Sequence, residues 1–324
     1  MTWESIADNL NTKSTATPMV DIEHLNRIRL VEKPRGQMIV ANCLLTPNYR
    51  LFAKVDIQIE NLEKIPRNEN VIFAMNHTDR YNYWPFQWKL WALKTFPYTT
   101  VWVKGKYYRN TLLGKFLDAC NLIPVPSMAY LIEEFYKKKF GERIDPELYR
   151  DVKDVIDGKY DQAGTYPENA ARVFRAWGND FVEFIRDYYD LVMERVAELS
   201  RQALFDRGLN LIIFPEGTRS VQLAEGKTGL AQLALWSRKK IVPIGCNNSE
   251  QVYRGHLPFA RSGQIIYRVG EPLSIEDRLK PYRIDAPFKL FSKESQRKYR
   301  DQFEGVTSAV MASIGLLLDE RYRK

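Results

Sequence analysis

The chain has 324 residues, 45% of them apolar and 27% charged, and its 48 Lys and Arg outweigh 40 Asp and Glu for a net charge of +8. That composition is ample for a sizeable core, in one large domain with additions or in two domains. Three scattered cysteines (Cys43, Cys120 and Cys246) lack C-x-x-C spacing, which argues against a disulfide framework or a zinc site and reads as small buried apolar residues, and no run approaches the eighteen or more apolar residues of a spanning helix.

Residues 1–48 read as an irregular start with modest helical potential. MTWESIADNLNTK lacks the basic and apolar regions of a signal peptide, which points to a protein made and kept in the cytoplasm. Val55, Ile57 and Ile59 alternate with polar residues and predict a strand, and VIFAMNH (71–77) predicts a second. Pro85 suits the first turn of a helix continued by FQWKLWALKTF. TTVWVKG (99–105) predicts a third strand, RNTLLGKFLDAC a short helix, and NLIPVP a fourth strand.

Residues 127–206 form a segment rich in helix signals, with DGKYDQAGTYPEN (157–169) loop-like within it. In FVEFIRDYYDLVMERVAELSRQAL, Phe181, Phe184, Ile185, Tyr188, Val192, Val196 and Leu199 share one face at helical spacing, as core packing or as a lipid pocket. LNLIIF (209–214) reads as a buried parallel strand running into the sharp turn of Pro215, Glu216 and Gly217. KTGLAQLALWSRK predicts a helix, and KIVPIGC and GQIIYRVGEPL predict strands. Residues from Lys293 onward predict one long amphipathic C-terminal helix. Strands alternating with helices give an α/β fold: a mixed, mainly parallel sheet flanked by helices.

The charge is unevenly placed. The 127–206 segment carries 12 basic and 17 acidic residues, so it is net −5 and the remainder is +13. Residues 278–300 hold 8 basic and 2 acidic residues with Tyr282, Phe288, Phe291 and Tyr299 interleaved. That mixture suits an anionic membrane surface or a plain solvated basic face. Without a helix-turn-helix, zinc-finger or RNP signature, nucleic acid is the poorer partner.

Two clusters carry chemistry. Asn76 and His77 end one strand and lead into Thr78, Asp79, Arg80, Tyr81 and Asn82; Pro215 to Ser220 end another. Open α/β sheets hold ligands at the carboxyl ends of their strands. Of the three histidines, His24, His77 and His256, only His77 lies at a strand end among polar residues, where a general base working near neutral pH would sit. The Arg219 guanidinium suits an anion such as phosphate. Gly217 suits a backbone conformation that other residues resist.

Together F-P-E-G-T-R-S, N-H-T-D-R-Y-N, Lys104 ten residues before Gly114, and KKIVPIGC resemble the glycerolipid acyltransferase superfamily, the lysophosphatidic acid acyltransferase-like enzymes, over about residues 50–128 and 205–275. The resemblance implies an acyltransferase domain over 49–324 after an N-terminal extension, 1–48, with 127–206 as a helical insertion far longer than the family's usual gap. It implies that His77 deprotonates an acceptor hydroxyl that attacks an acyl thioester. The donor would be acyl-CoA or acyl carrier protein, with no further cofactor. The acceptor would be a lysophospholipid, first of all 1-acylglycerol-3-phosphate, at the inner face of the membrane. Arg219, Lys104, Glu216, Gly217 and Thr218 would form the acceptor site, and Gly229 would help shape it.

The chain departs from the family twice. The position five after the histidine, where the family has an orienting acid, is Asn82, so either Asn82 or Asp79 orients His77. If Asn82 does so, Asn82→Asp should be tolerated or raise turnover. Ser127 stands where many relatives have a phosphate-binding arginine. An acceptor without phosphate, such as a glycolipid or other alcohol, and a relative that binds acyl-CoA or lipid without catalysis therefore remain as alternatives.

Overall fold

The computed structural model describes residues 20–160, 165–178 and 180–323. The readings made for MTWESIADNLNTK and for part of the 157–169 loop lie outside them. Seven strands form one sheet: β1 (Val55–Glu60), β2 (Ile72–Met75), β3 (Thr99–Lys104), β4 (Leu122–Val125), β5 (Asn210–Ile213), β6 (Ile241–Asn247) and β7 (Gly263–Val269), in the order β1-β7-β6-β2-β5-β3-β4. β2 pairs in parallel with β5 and β6, β3 with β5, and β1 with β7, whereas β6 and β7 are antiparallel. The sheet is therefore mixed and mainly parallel, in an α/β fold. Every residue of β2, β5 and β6 is buried, as expected of central strands covered on both faces. β1, at the sheet edge, alternates between covered and exposed positions.

The chain folds as two compact units. The larger holds Arg29–Trp102, Phe116–Ile123 and Ala197–Lys324, and with them most of the sheet. In it Pro85 stands in the first turn of the helix Trp84–Leu93, which Lys94 ends in a left-handed conformation. The smaller unit takes the residues up to Ile28, Val103–Lys115 and Pro124–Val196. Its core gathers the helices Met128–Phe140, Pro146–Ile156 and Glu168–Trp177 and most of Phe181–Arg201. Phe135 sits edge-on to Phe181, Phe184 and Tyr188 at centroid distances of 5.8, 5.6 and 5.5 Å. The aromatic stripe is thus core packing. Ser127 caps the first of these helices, its Oγ accepting from the Tyr130 N–H (3.1 Å).

Three expectations change. Cys43 is exposed, unlike Cys120 and Cys246. The C-terminal helix is two: Lys293–Lys298, then Arg300–Leu316 after a break at Tyr299, whose ring lies 5.6 Å from Phe288 and 6.2 Å from Phe303. The aromatics of 278–300 are packing residues. Phe291 is buried edge-on to Trp102, Phe288 packs on Tyr299 and Phe303, and the Tyr282 ring lies over Gly305. The basic side chains of that stretch face water, as do Asp285, Glu294 and Gln296.

The end of the helix Arg300–Leu316 seats on β6. A Cβ added at Gly245 would lie 2.5 Å from Leu317 Cβ and 2.7 Å from its carbonyl oxygen. Gly245→Ala should therefore cost roughly 1–3 kcal/mol by overpacking, read as a lower urea midpoint. Gly229→Ala meets only Trp102 Cζ3, at 3.6 Å, and should move that midpoint little.

Candidate active site

The parallel register of the central strands builds the site. Ala74 of β2 stands opposite Ile213 of β5. Carrying that offset of 139 residues three positions beyond this pair brings His77 opposite Glu216, and the contact is made: Glu216 Oε1 accepts the His77 backbone N–H at 2.7 Å. Oε2 accepts the Ala224 N–H at 3.0 Å. The Ser220 N–H donates to the His77 carbonyl at 2.9 Å, so the peptide groups on both sides of the histidine are held by the F-P-E-G-T-R-S segment. Burial pushes the Glu216 carboxyl up, and the two backbone donors oppose that shift. The turn itself depends on Gly217 at φ +66°.

The His77 ring stacks on Phe214 at 4.1 Å, with 21° between the planes. Its Nδ1 lies 3.2 Å from Asn82 Oδ1. The orientation of that amide follows from its other end, where Asn82 Nδ2 donates to the Asn76 carbonyl at 2.7 Å. With Oδ1 turned to the imidazole, Nδ1 is the protonated nitrogen and the lone pair lies on Nε2, the tautomer a general base needs. Asn82 is 0% exposed, and its own carbonyl accepts from the Tyr267 hydroxyl at 2.6 Å. Asn76 in turn is clamped to β6: its Oδ1 accepts from the Cys246 N–H (2.7 Å) and its Nδ2 donates to the Cys246 carbonyl (3.0 Å). Sequence reasoning missed Asn76 and Tyr267 as positioning groups. Asn76 was visible as the polar residue closing a strand; nothing in GQIIYRV marked Tyr267.

Asp79 serves the turn. Its Oδ1 accepts from the Tyr81 N–H (2.8 Å) and its Oδ2 from the Thr78 hydroxyl (3.1 Å). Burial pushes its carboxyl up to about 6, against the pull of those bonds.

The proposed acceptor residues separate. Gly217, Thr218 and Arg219 are exposed, whereas Glu216 is buried. The Arg219 guanidinium makes no hydrogen bond or ion pair among the described residues; the turn fixes its backbone and leaves the side chain to solvent. Lys104 ends β3 in the smaller unit. His24 packs its ring edge-on to Tyr108 in the smaller unit, and His256 is exposed, its carbonyl accepting from the Tyr81 hydroxyl.

Two outcomes follow. Asp79 has a raised folded pKa, so it favours the folded state below about pH 4 and that contribution is lost as pH rises through about 6. Asn at position 79 can still accept from the Tyr81 N–H without burying a charge. Asp79→Asn should therefore raise stability at pH 7.5 by up to about 3 kcal/mol and leave it little changed at pH 4, in urea unfolding at the two pH values.

Asn82→Asp should not be the benign change that its place in the family pattern suggests. It would set a carboxylate oxygen against the Asn76 carbonyl, 2.7 Å from the present amide nitrogen, in a fully buried place. An unsatisfied buried polar group costs roughly 1–3 kcal/mol. Both Asn82→Asp and Asn82→Ala should lower the thermal midpoint.

Residues 170–247 match the family model described as Acyltransferase, a segment that includes β5, F-P-E-G-T-R-S and β6. A 1-acyl-sn-glycerol-3-phosphate acyltransferase from Cocos nucifera is 33% identical over 87 residues. That is 26% of this chain and 28% of that enzyme, so the chain spans little over a quarter of the relative's length. The crystal structure of the 1-acyl-sn-glycerophosphate (LPA) acyltransferase PlsC from Thermotoga maritima is similar over 90% of this chain and 87% of its own, at 13% identity and a TM-score of 0.39. The matched segment contains F-P-E-G-T-R-S, the motif on which the resemblance to the glycerolipid acyltransferase superfamily chiefly rests.

Proposed function

We propose that this protein transfers a fatty acyl group from a thioester, acyl-CoA or acyl carrier protein, to the free hydroxyl of a lysophospholipid, with 1-acylglycerol-3-phosphate as the first acceptor to test. The observation that carries the reading is the His77–Asn82 contact, with the amide locked so that Nε2 holds the lone pair. Nε2 takes the proton of the acceptor hydroxyl as its oxygen attacks the thioester carbonyl. The carbon–sulfur bond then breaks, and the thiolate leaves with both electrons. Such a reaction asks for no further cofactor. Asn82 supplies orientation without charge, so the imidazolium that forms is stabilised by hydrogen bonding alone at that nitrogen.

Supporting the lipid reading, a mostly apolar cleft is lined by Val40, Leu45, Tyr83, Trp84, Trp88 and Trp91 among others. Tyr83, one of its walls, directly follows Asn82, and its ring lies 6.1 Å from Phe214, on which the His77 ring stacks. Arg219, next to the Ser220 N–H that holds the His77 carbonyl, would meet an anionic head group. Thr218 belongs to the same proposed acceptor site, which would work at a membrane surface.

A second reading changes only the acceptor. Ser127, where relatives carry arginine, is engaged as a helix cap and brings no cation, which favours testing an alcohol without phosphate.

Thiol release by purified protein with acyl-CoA should require a lysolipid acceptor. His77→Ala should lower it by about 10²–10⁴-fold in a protein that still melts cooperatively. Arg219→Ala should cost roughly tenfold or more with lysophosphatidate and much less with the dephosphorylated acceptor. Near-parental turnover in folded His77→Ala would remove the histidine from the mechanism. Equal losses on both acceptors would favour the second reading.

A further inference from the structure

The larger unit exposes large apolar side chains in two stretches that the fold ties together. Leu51 (70% exposed) and Phe52 (78%) lie on the helical turn Asn48–Phe52, and Leu257 (69%) and Phe259 (57%) on the loop after the helix Ser249–Val252. Asn48 Oδ1 accepts from the Ala260 N–H at 2.9 Å, and the Tyr49 and Tyr253 hydroxyls meet at 2.5 Å, so the two stretches are pinned side by side. Their charge has one sign. NYRLFAK (48–54) and RGHLPFAR (254–261) contain Arg50, Lys54, Arg254 and Arg261, all exposed, and no Asp or Glu. Water is a poor solvent for four such side chains in one place, and exposed apolar clusters ringed by cations mark surfaces that dock on something.

We infer that this face docks on an anionic lipid bilayer, with Leu51, Phe52, Leu257 and Phe259 entering the boundary between head groups and acyl chains and Arg50, Lys54, Arg254 and Arg261 lying among the lipid phosphates. The charge chooses the occupant: two stretches that together carry four exposed cations and no acid repel a second copy of the same face and are drawn to anionic lipid. Among the described residues no helix is long and apolar enough to cross a membrane, and this surface needs none. It also opens toward the proposed chemistry. Arg50 stacks on Trp88, a wall of the apolar cleft, at 5.5 Å, and the loop carbonyl of His256 accepts from Tyr81 in the turn after His77 (2.6 Å). The inference deepens the lipid-acceptor reading by naming the surface from which that acceptor would come. It moves the membrane contact away from residues 278–300, whose aromatics are occupied in packing.

The test is co-sedimentation of the full chain with vesicles of phosphatidylcholine, alone and mixed with phosphatidylglycerol, without acyl donor or acceptor. The parent should bind the anionic vesicles and be released by salt. Joint replacement of Leu51, Phe52, Leu257 and Phe259 by Ser should weaken binding roughly tenfold or more. Joint replacement of Lys289, Lys293, Arg297 and Lys298 by Gln should leave it near the parental level.

Hydrogen exchange on the parent supplies a readout that needs no variant: vesicles should slow exchange in 48–54 and 254–261. Parental binding by the Ser variant, protection confined to 278–300, or a parent that self-associates through these four residues in the absence of lipid would each overturn the inference. Thiol release with a water-soluble short-chain acceptor separates the two proposals. Turnover without vesicle binding refutes the docking face alone, and vesicle binding without turnover refutes the enzymatic reading alone.

Discussion

The side chain of Asn82 can lie only one way round, and the geometry of the site depends on it. An amide has a donor end and an acceptor end, and the Asn76 carbonyl takes the donor. The acceptor is left for His77 Nδ1, and the tautomer of the imidazole follows. Asn76 holds this position because its own amide continues the hydrogen-bonding of β2 onto the backbone of β6 at Cys246. Tyr267 of β7 fixes the Asn82 carbonyl from the other side. Three strands thus define one ring orientation through neutral groups only. A carboxylate in the same place would add charge but would need a different support, since it has no donor to offer the Asn76 carbonyl.

The sheet was legible in the sequence for a plain reason. The central strands are short apolar runs, such as NLII or IVPIG, bounded by turn residues, and the edge strand β1 alternates apolar with polar residues; backbone hydrogen bonding leaves such patterns few other destinations. Register was not legible, because Ala74 opposite Ile213 is set by the packing of many side chains at once. With the register went the bond from His77 to Glu216, which spans 139 residues. The candidate site was legible as two strand ends, with the resemblance alone linking Asn82 to His77. What the motif could not say is which way an amide points or that the Arg219 side chain reaches into solvent.

The stretch 278–300 shows the limit of composition. Eight basic residues interleaved with aromatics look the same whether the rings face lipid or core. The rings of Phe288, Phe291 and Tyr282 face inward because a neighbouring helix and Trp102 offer apolar surface there. Leu51, Phe52, Leu257 and Phe259 carry no such compositional signal, coming from stretches about 200 residues apart that only the fold unites.

Glu216 has a consequence for motion. One carboxylate holds the amide of His77 with one oxygen and that of Ala224 with the other. Two loops that are distant in sequence therefore share a single anchor, and neither can lift without loosening the other's grip. Because burial raises the affinity of that carboxylate for a proton, the anchor weakens as the pH falls. The histidine turn and the arginine-bearing turn would then open together rather than one at a time.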